Sequence, residues 1–249
     1  MPRIAFMIML GLCVALAGAQ PAAAADQSAL SPAQKEEIKK LIRSYILENP
    51  EILPEAIEIL QAKQEKAKGA KRADVLASRK EELFNPPEGT VIANPNGDVT
   101  LVELFDYNCG YCKHFFPTLM EVAKADPKLR VVMKEYPILG PSSAVASQAA
   151  LAAMKQGKYT AFHFALLGYK GQLSNDAIMK VALETGLDLP KLREDMRAPE
   201  ITAILKKNHE LAQAFGIDGT PAMFIGDEFV PGAIEKEDLL KMIADARKK

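Results

Sequence analysis

The sequence has no tryptophan, few other aromatic residues and a net charge of only −1, so it offers neither a base-stacking surface nor a basic field for nucleic acid. It holds three cysteines and three histidines, with no second cysteine pair. A tetrahedral zinc site would therefore lack its four ligands, and no metal or cofactor is expected. Beyond the N-terminus no uncharged apolar run approaches the roughly 20 residues that a membrane-spanning helix needs. With 49% hydrophobic and 25% charged residues, the chain has the balance of a folded globular protein rather than a disordered one.

The first 25 residues read as a cleaved export signal. Arg3 supplies the positive start, Ile4 to Leu16 form a short apolar run, and Ala22 to Ala25 precede Asp26 as a small-residue cleavage site. An uncleaved anchor is the alternative reading. Lipid attachment at Cys13 is disfavoured by the large Leu12 before it. Removal of the signal would leave Cys109 and Cys112 as the only thiols, in a compartment where disulfides persist.

Residues 26–60 read as an N-terminal helical segment. Ser31-Pro32-Ala33-Gln34 has the form of a helix start, and Ile38, Leu41, Ile42, Tyr45 and Ile46 recur on one face until Asn49-Pro50. A second helix carries Ile52, Leu53, Ala56, Ile57 and Leu60. Two short amphipathic helices bury too little by themselves, so their apolar faces need a partner, either their own domain or another copy of the chain. The charged, Ala-rich stretch 61–89 is a solvated helix or semi-rigid linker, which favours self-association.

From residue 90 to 249 the texture is α/β. Val91-Ile92, the turn Asn94-Pro95-Asn96-Gly97 and Val99 to Phe105 predict strand, turn, strand. A helix opens near Cys109 and runs towards Ala125, and Leu129 to Tyr136 is a strand, giving a parallel strand–helix–strand unit. A long helical block covers about 140–215. Ala222 to Ile225 and Glu228 to Val230 form a last strand pair, and the closing helix, Glu235 to Ala246, is expected to bury Leu239, Leu240 and Ile243.

The dithiol Cys109-Gly110-Tyr111-Cys112 carries the chemistry. At a helix start, free backbone N–H groups and the helix dipole stabilise an anion, so Cys109 is expected to be acidic and nucleophilic. Cys112, one turn further in, can reach it to form a disulfide. A purely structural bond across so short a loop would contribute only about 2 kcal/mol. Gly219-Thr220-Pro221-Ala222 is the second element: Pro221 stands just before a strand, where a cis peptide bond can be held and the Thr220 backbone can face an extended substrate.

Phe105 to Lys113 together with Gly219-Thr220-Pro221 resembles the thioredoxin fold, and the long insertion resembles the DsbA-like branch of periplasmic thiol:disulfide oxidoreductases. The resemblance covers about residues 90 to 246. It implies that Cys109 is the exposed nucleophile, Cys112 the buried partner and Pro221 a cis-proline facing them, with Thr220 and Pro221 binding substrate. It also implies a buried acid at Glu103 that could relay the proton of Cys112; strand alternation puts Glu103 with Val99, Leu101 and Phe105. Lys134 on the adjacent strand could pair with it. Gly110 and Tyr111 replace the Pro-His of the best-known oxidase pattern. With Glu103 and Lys134 they are the candidates for tuning the couple, and they point to a milder oxidant. His114 could restore some positive charge, whereas His163 and His209 are read as packing or surface residues.

Residues 42–53, Ile42-Arg43-Ser44-Tyr45-Ile46-Leu47-Glu48-Asn49-Pro50-Glu51-Ile52-Leu53, are similar to the N-terminal oligomerisation segment of ScsC-like members, which implies a dimer or trimer. The expected function is therefore formation or isomerisation of disulfides in secreted proteins in the periplasm, leaning towards isomerase or mixed activity, with a membrane redox partner. The alternative is Cu(I) bound by the same two thiolates. The ten methionines add little to it, because they are scattered and fit helix cores.

Overall fold

The structure, a computed structural model, describes residues 30–86, 89–171 and 173–248; the expected signal segment 1–25 lies outside them. The chain divides into two compact units, with the boundary between Gln61 and Ala62.

The smaller unit contains α1 (Pro32–Glu48) and the first turns of α2 (Ile52–Phe84). The start of α1 is a full capping box: Gln34 N–H donates to Ser31 Oγ, and Ser31 N–H donates to Gln34 Oε1 at 2.9 Å. At the other end, the backbone and side-chain N–H groups of Asn49 both reach the Tyr45 carbonyl. No residue of α1 is buried, and Leu41, Ile42, Tyr45, Leu53, Ile57 and Leu60 all lie exposed.

In the larger unit the order of strands across the sheet is β2–β1–β3–β4, with β1 (Val99–Phe105) parallel to β2 (Leu129–Glu135). Strands β3 (Ala222–Ile225) and β4 (Glu228–Pro231) follow, each antiparallel to its neighbour. The expected strand at Val91-Ile92 is a single antiparallel bridge from Val91 to Val132, because Asn94-Pro95 turns the chain away at once. Gly97 makes that turn possible: a Cβ there would stand 2.5 Å from both the Arg130 nitrogen and the Lys128 oxygen.

Strand alternation separates two cores. Val99, Leu101 and Phe105 pack with α3 (Gly110–Ala125), α9 (Lys236–Ala246) and the helical insertion. Val102, Leu104, Val132 and Phe224 face the other side, against Leu83 and residues of α8 (Pro199–Phe215). Between β2 and α8 the chain forms α4 (Pro141–Ala153), a short 3-10 turn (Met154–Gln156), α5 (Tyr159–Gly168), α6 (Asn175–Glu184) and α7 (Leu189–Asp195). The buried face of α4 is small: Ala146, Ala149, Ala150 and Ala153, with Ser143 and Ser147.

Two expectations need revision. The charged stretch after Gln61 is helical, but its C-terminal part is not solvated: Val75 and Leu76 pack on the second core and Leu83 is wholly buried. The helix departs from helical angles at Arg79, whose guanidinium binds Glu82 and the Glu210 carbonyl, and this kink turns Leu83 onto the sheet. In α9, Leu239 and Ile243 are buried as expected but Leu240 is 44% exposed, because it lies about 100° round the helix from Leu239.

Leu83→Ala is expected to destabilise the protein by about 2–4 kcal/mol, whereas Leu183→Ala, on the exposed face of α6, should cost less than about 0.5 kcal/mol. Denaturant midpoints of the two variants measure this directly, and equal losses would show that α2 does not complete the core.

Candidate active site

Cys109 is the N-cap of α3 and Cys112 lies in its first turn. The cap is made by sulfur: Cys112 N–H donates to Cys109 Sγ at 3.4 Å. On its other side the Cys109 thiol donates to the Thr220 carbonyl at 3.1 Å. The Thr220–Pro221 peptide, in the loop before β3, is cis. Both cysteines are free thiols; Cys112 is fully buried, and Cys109, expected to be exposed, is only 5% exposed because it caps α3 and packs with the first core.

Their protons are held very differently. A hydrogen bond from the Cys112 thiol pulls Cys109 down to about 6, helped by Thr220 and by the Cys112 and Tyr111 N–H groups, against the opposing effect of burial. Burial pushes Cys112 far up, and its bond to Cys109 and the nearby Glu103 charge add to this. The backbone of Asp106 is the one group that opposes them.

Glu103 sits on the α3 face of β1, buried at 1% exposure, and its Oε2 has no hydrogen-bond partner among the described residues. Burial, then the Cys109 charge, raises its carboxyl to about 8. The expected partnership with Lys134 is not formed. Register places Glu103 beside Met133 and Lys134 beside Leu104, so the two side chains leave opposite faces of the sheet. Lys134 instead donates to the Glu82 carbonyl at 2.9 Å, and burial lowers its amine to about 8.

Gly110 is exposed, and a Cβ there would meet nothing within 4 Å, so no close approach demands glycine at this position. Tyr111 is 73% exposed, and it acts on Cys109 through its backbone N–H. His163 is a fully buried packing residue, its ring kept neutral by burial down to about pH 3, and His209 lies near the Tyr136 ring and Gln213.

The residues that hold the dithiol loop were not singled out from the sequence. The Asp106 carboxylate accepts from the N–H groups of Asn108, Ile138 and Leu139 at 2.7–2.9 Å. Asn108 donates to Ser142 and Ser143 and accepts from Leu173 N–H, while Lys113 donates to the Tyr169 and Gly171 carbonyls. These contacts tie the loop to the insertion. The one available signal was Asp-Tyr-Asn at a strand end, where Asp and Asn recurrently bind nearby backbone. An open cleft of about 750 Å³, lined by Gly110, Lys113, Leu139 and Tyr169, flanks the dithiol on the insertion side. A second, about 350 Å³, runs beside Thr220 and Pro221 to Lys68 and Arg72.

The geometry has counterparts among known proteins. Residues 100–244 match the DSBA-like thioredoxin domain, and residues 34–67 match the copper resistance protein ScsC N-terminal domain. A thioredoxin-like oxidoreductase from Silicibacter pomeroyi is 46% identical, covering 68% of this chain and 98% of that one at a TM-score of 0.66. Proteus mirabilis ScsC in a transitional conformation is 34% identical over 88% of this chain and 98% of that one, TM-score 0.64. The thiol:disulfide interchange protein DsbA of Bordetella parapertussis is 25% identical, over 61% of this chain and 73% of that one. The chain spans about a quarter of the length of the first curated relatives it matches; one is a Na(+)/H(+) antiporter of Salinispora arenicola, 28% identical over 150 residues. The dithiol domain and these matches agree: the chain belongs to the DSBA-like thioredoxin domain family.

Proposed function

We propose that this protein exchanges thiols and disulfides in secreted proteins, with Cys109 as nucleophile, Cys112 as resolving thiol and Glu103 as proton acceptor. The observation that carries this reading is the opposite tuning of two sulfurs within one helical turn: Cys109 low, Cys112 high. The Cys109 thiolate attacks a substrate disulfide, forms a mixed disulfide and releases a substrate thiolate. That thiolate can attack another disulfide of the same protein, and a substrate thiolate then displaces Cys109 unchanged, which is isomerisation without net electron transfer. Alternatively Cys112 gives its proton to ionised Glu103 and attacks Cys109 Sγ; the second substrate thiolate leaves, and two electrons pass from the dithiol to the substrate. The reverse sequence oxidises a substrate dithiol. Thr220 and Pro221 line the cleft next to Cys109, where an extended substrate backbone would lie.

The reading includes export to the periplasm, supported by the signal-like residues 1–25 and by a 28% identical relative from Salmonella enterica described as a periplasmic thioredoxin-like protein. Among the described residues no helix is long and apolar enough to cross a membrane. It also includes a dimer or trimer joined through α1 and the start of α2, supported by their exposed apolar residues and by the ScsC N-terminal match. An oligomer with a mild dithiol suits isomerase or mixed activity, with a membrane redox partner holding the thiols reduced. A second reading, Cu(I) held by both thiolates, is favoured by the copper-resistance description of the family matching residues 34–67. The strongly raised Cys112 weighs against a second thiolate, and Cu(I) affinity that survives Cys109→Ser would exclude this site.

Cys109→Ser is expected to abolish exchange, while Cys112→Ser should still attack and accumulate mixed disulfides visible on non-reducing gels. Alkylation of Cys109 should rise with pH through a midpoint near 6; a midpoint near that of a free thiol, about 8.5, would overturn the assignment of the nucleophile.

Folded Glu103 keeps its proton up to about pH 8 while the unfolded carboxyl loses it near 4.5, so this group's contribution to stability is complete below 4.5 and is lost as pH rises to 8. Glu103→Gln should therefore match wild type near pH 5 and exceed it by about 1–3 kcal/mol near pH 8. An equal difference at both pH values, read from denaturant midpoints, would show that ionisation of Glu103 is not the cause.

Ile42→Glu is expected to reduce the mass in solution to that of one chain and to lower recovery of scrambled ribonuclease, leaving oxidation of reduced ribonuclease intact. A wild type that is already monomeric by light scattering would refute the oligomer, and recovery of the reduced form alone would refute the isomerase lean.

A further inference from the structure

Glu135, the last residue of β2, is wholly buried and gathers three hydroxyl groups from three parts of the chain. Tyr107, two residues before Cys109, donates to Oε1 at 3.1 Å; Tyr159 of α5 donates to the same oxygen at 3.0 Å; Ser147 of α4 donates to Oε2 at 2.7 Å. Asn208 of α8 fixes the same residue through its carbonyl at 3.0 Å. We propose that Glu135 is a positioning residue for the dithiol, acting through Tyr107 to hold the Cys109 loop against the helical insertion. This deepens the thiol-exchange reading and rests on it.

Two carboxylates form a reciprocal clamp. The Asp106 carboxylate reaches from the β1 loop to the N–H groups of Ile138 and Leu139, while the Glu135 carboxylate reaches from β2 to Tyr107. Tyr136 N–H closes the pair on the Phe105 carbonyl at 2.9 Å. Between them they fix the Asp106 backbone, whose carbonyl accepts from Cys109 N–H at 3.0 Å and which also acts on the Cys112 thiol, lowering it.

The protons of the cluster have one consistent arrangement. Tyr107 carries a single hydroxyl proton and stands 2.8 Å from His163 Nδ1 as well as 3.1 Å from Glu135. If that proton goes to Glu135, His163 must carry its own on Nδ1 and donate to the Tyr107 oxygen. Its Nε2 is then a bare lone pair, matching the lack of any partner for that buried atom among the described residues. The opposite tautomer would bury an unpaired N–H among the rings of Phe105 and Phe116. Oε1 accepts from both tyrosines whether or not Glu135 is ionised, and Ser147 can donate to Oε2 or accept from it. Burial raises its carboxyl to about 8, against the three hydroxyls. The charged and titratable groups acting on it are Asp106, Tyr107 and Tyr159, with His163 neutral beyond Tyr107.

The test measures the Cys109 thiolate by its ultraviolet absorbance against pH, together with the exchange rate, in the full chain carrying Glu135→Gln, Tyr107→Phe or both. Each single variant is expected to move the Cys109 midpoint up by about half a unit or more and to slow exchange about threefold or more. The double variant should add little to either, because both cut one link. Tyr107→Phe removes a single hydroxyl and supplies the reading if Glu135→Gln does not fold. Variants that lose stability but keep the wild-type midpoint and rate would overturn the proposal and leave the thiol-exchange reading standing. A wild type with no Cys109-dependent exchange would defeat that reading, and this proposal with it.

Discussion

The first turn of α3 shares one proton unequally between two sulfurs, and the surrounding structure is arranged around that inequality. Cys109 fills the place of an oxygen cap, where the Cys112 N–H group and its thiol both point at it. Helix starts favour anions, so the outer sulfur gains what the inner one loses. The inner thiol is denied water altogether and stands near a carboxyl that shares its burial. The consecutive β1 and α3 and the distant loop before β3 have to meet within a few ångströms to produce this. The parallel β1–β2 pair and the antiparallel β3 supply the frame on which they meet.

That frame carries an unusual load of buried ionisable groups. Glu103, Lys134, Glu135 and His163 all lie within or against the sheet with almost no exposure. Among the described residues, none has an opposite charge at close range. Each is moved towards its neutral form by burial, which is the cheaper course when no counter-ion is at hand. Lys134 and Glu135 also bind neighbouring backbone or hydroxyl groups, whereas one oxygen of Glu103 binds nothing among the described residues. A carboxyl left unsatisfied beside two thiols contributes little to stability, and its position fits a proton-handling group better than a structural one.

Much of the fold was legible because its signals are local. Ser31-Pro32-Ala33-Gln34 announces a capped helix, and alternation along Val99 to Phe105 announces a strand with two packed faces. The dithiol and Thr220-Pro221 were legible as a site because each stands at the junction of two predicted elements. What stayed hidden depended on register and on distance. Nothing local tells that Lys134 pairs with Leu104 rather than with Glu103, although a shift of one residue reverses the face. The clamp of Asp106 and Glu135 joins residues some thirty positions apart, and neither carries a motif. The charged composition of residues 61–84 hid the few apolar side chains, Val75, Leu76 and Leu83, that decide where the stretch packs.

The two ends of α2 show how one helix can serve both units. Its last turns place Leu83 in a core, so their helicity is secured by packing. Its first turns, like α1, leave Leu53, Ile57 and Leu60 in water. At about 25 cal/mol per Å² of apolar surface, several large side chains exposed along two neighbouring helices forgo more than capping and propensity return. A capped α1 with uncovered apolar residues suits the dimer or trimer proposed above. In that proposed oligomer, a substrate held by one copy would meet the thiolates of the others at a high local concentration. A substrate thiolate released at the first Cys109 would then be recaptured more readily than lost, and the proposed isomerase activity requires such repeated exchange on one molecule.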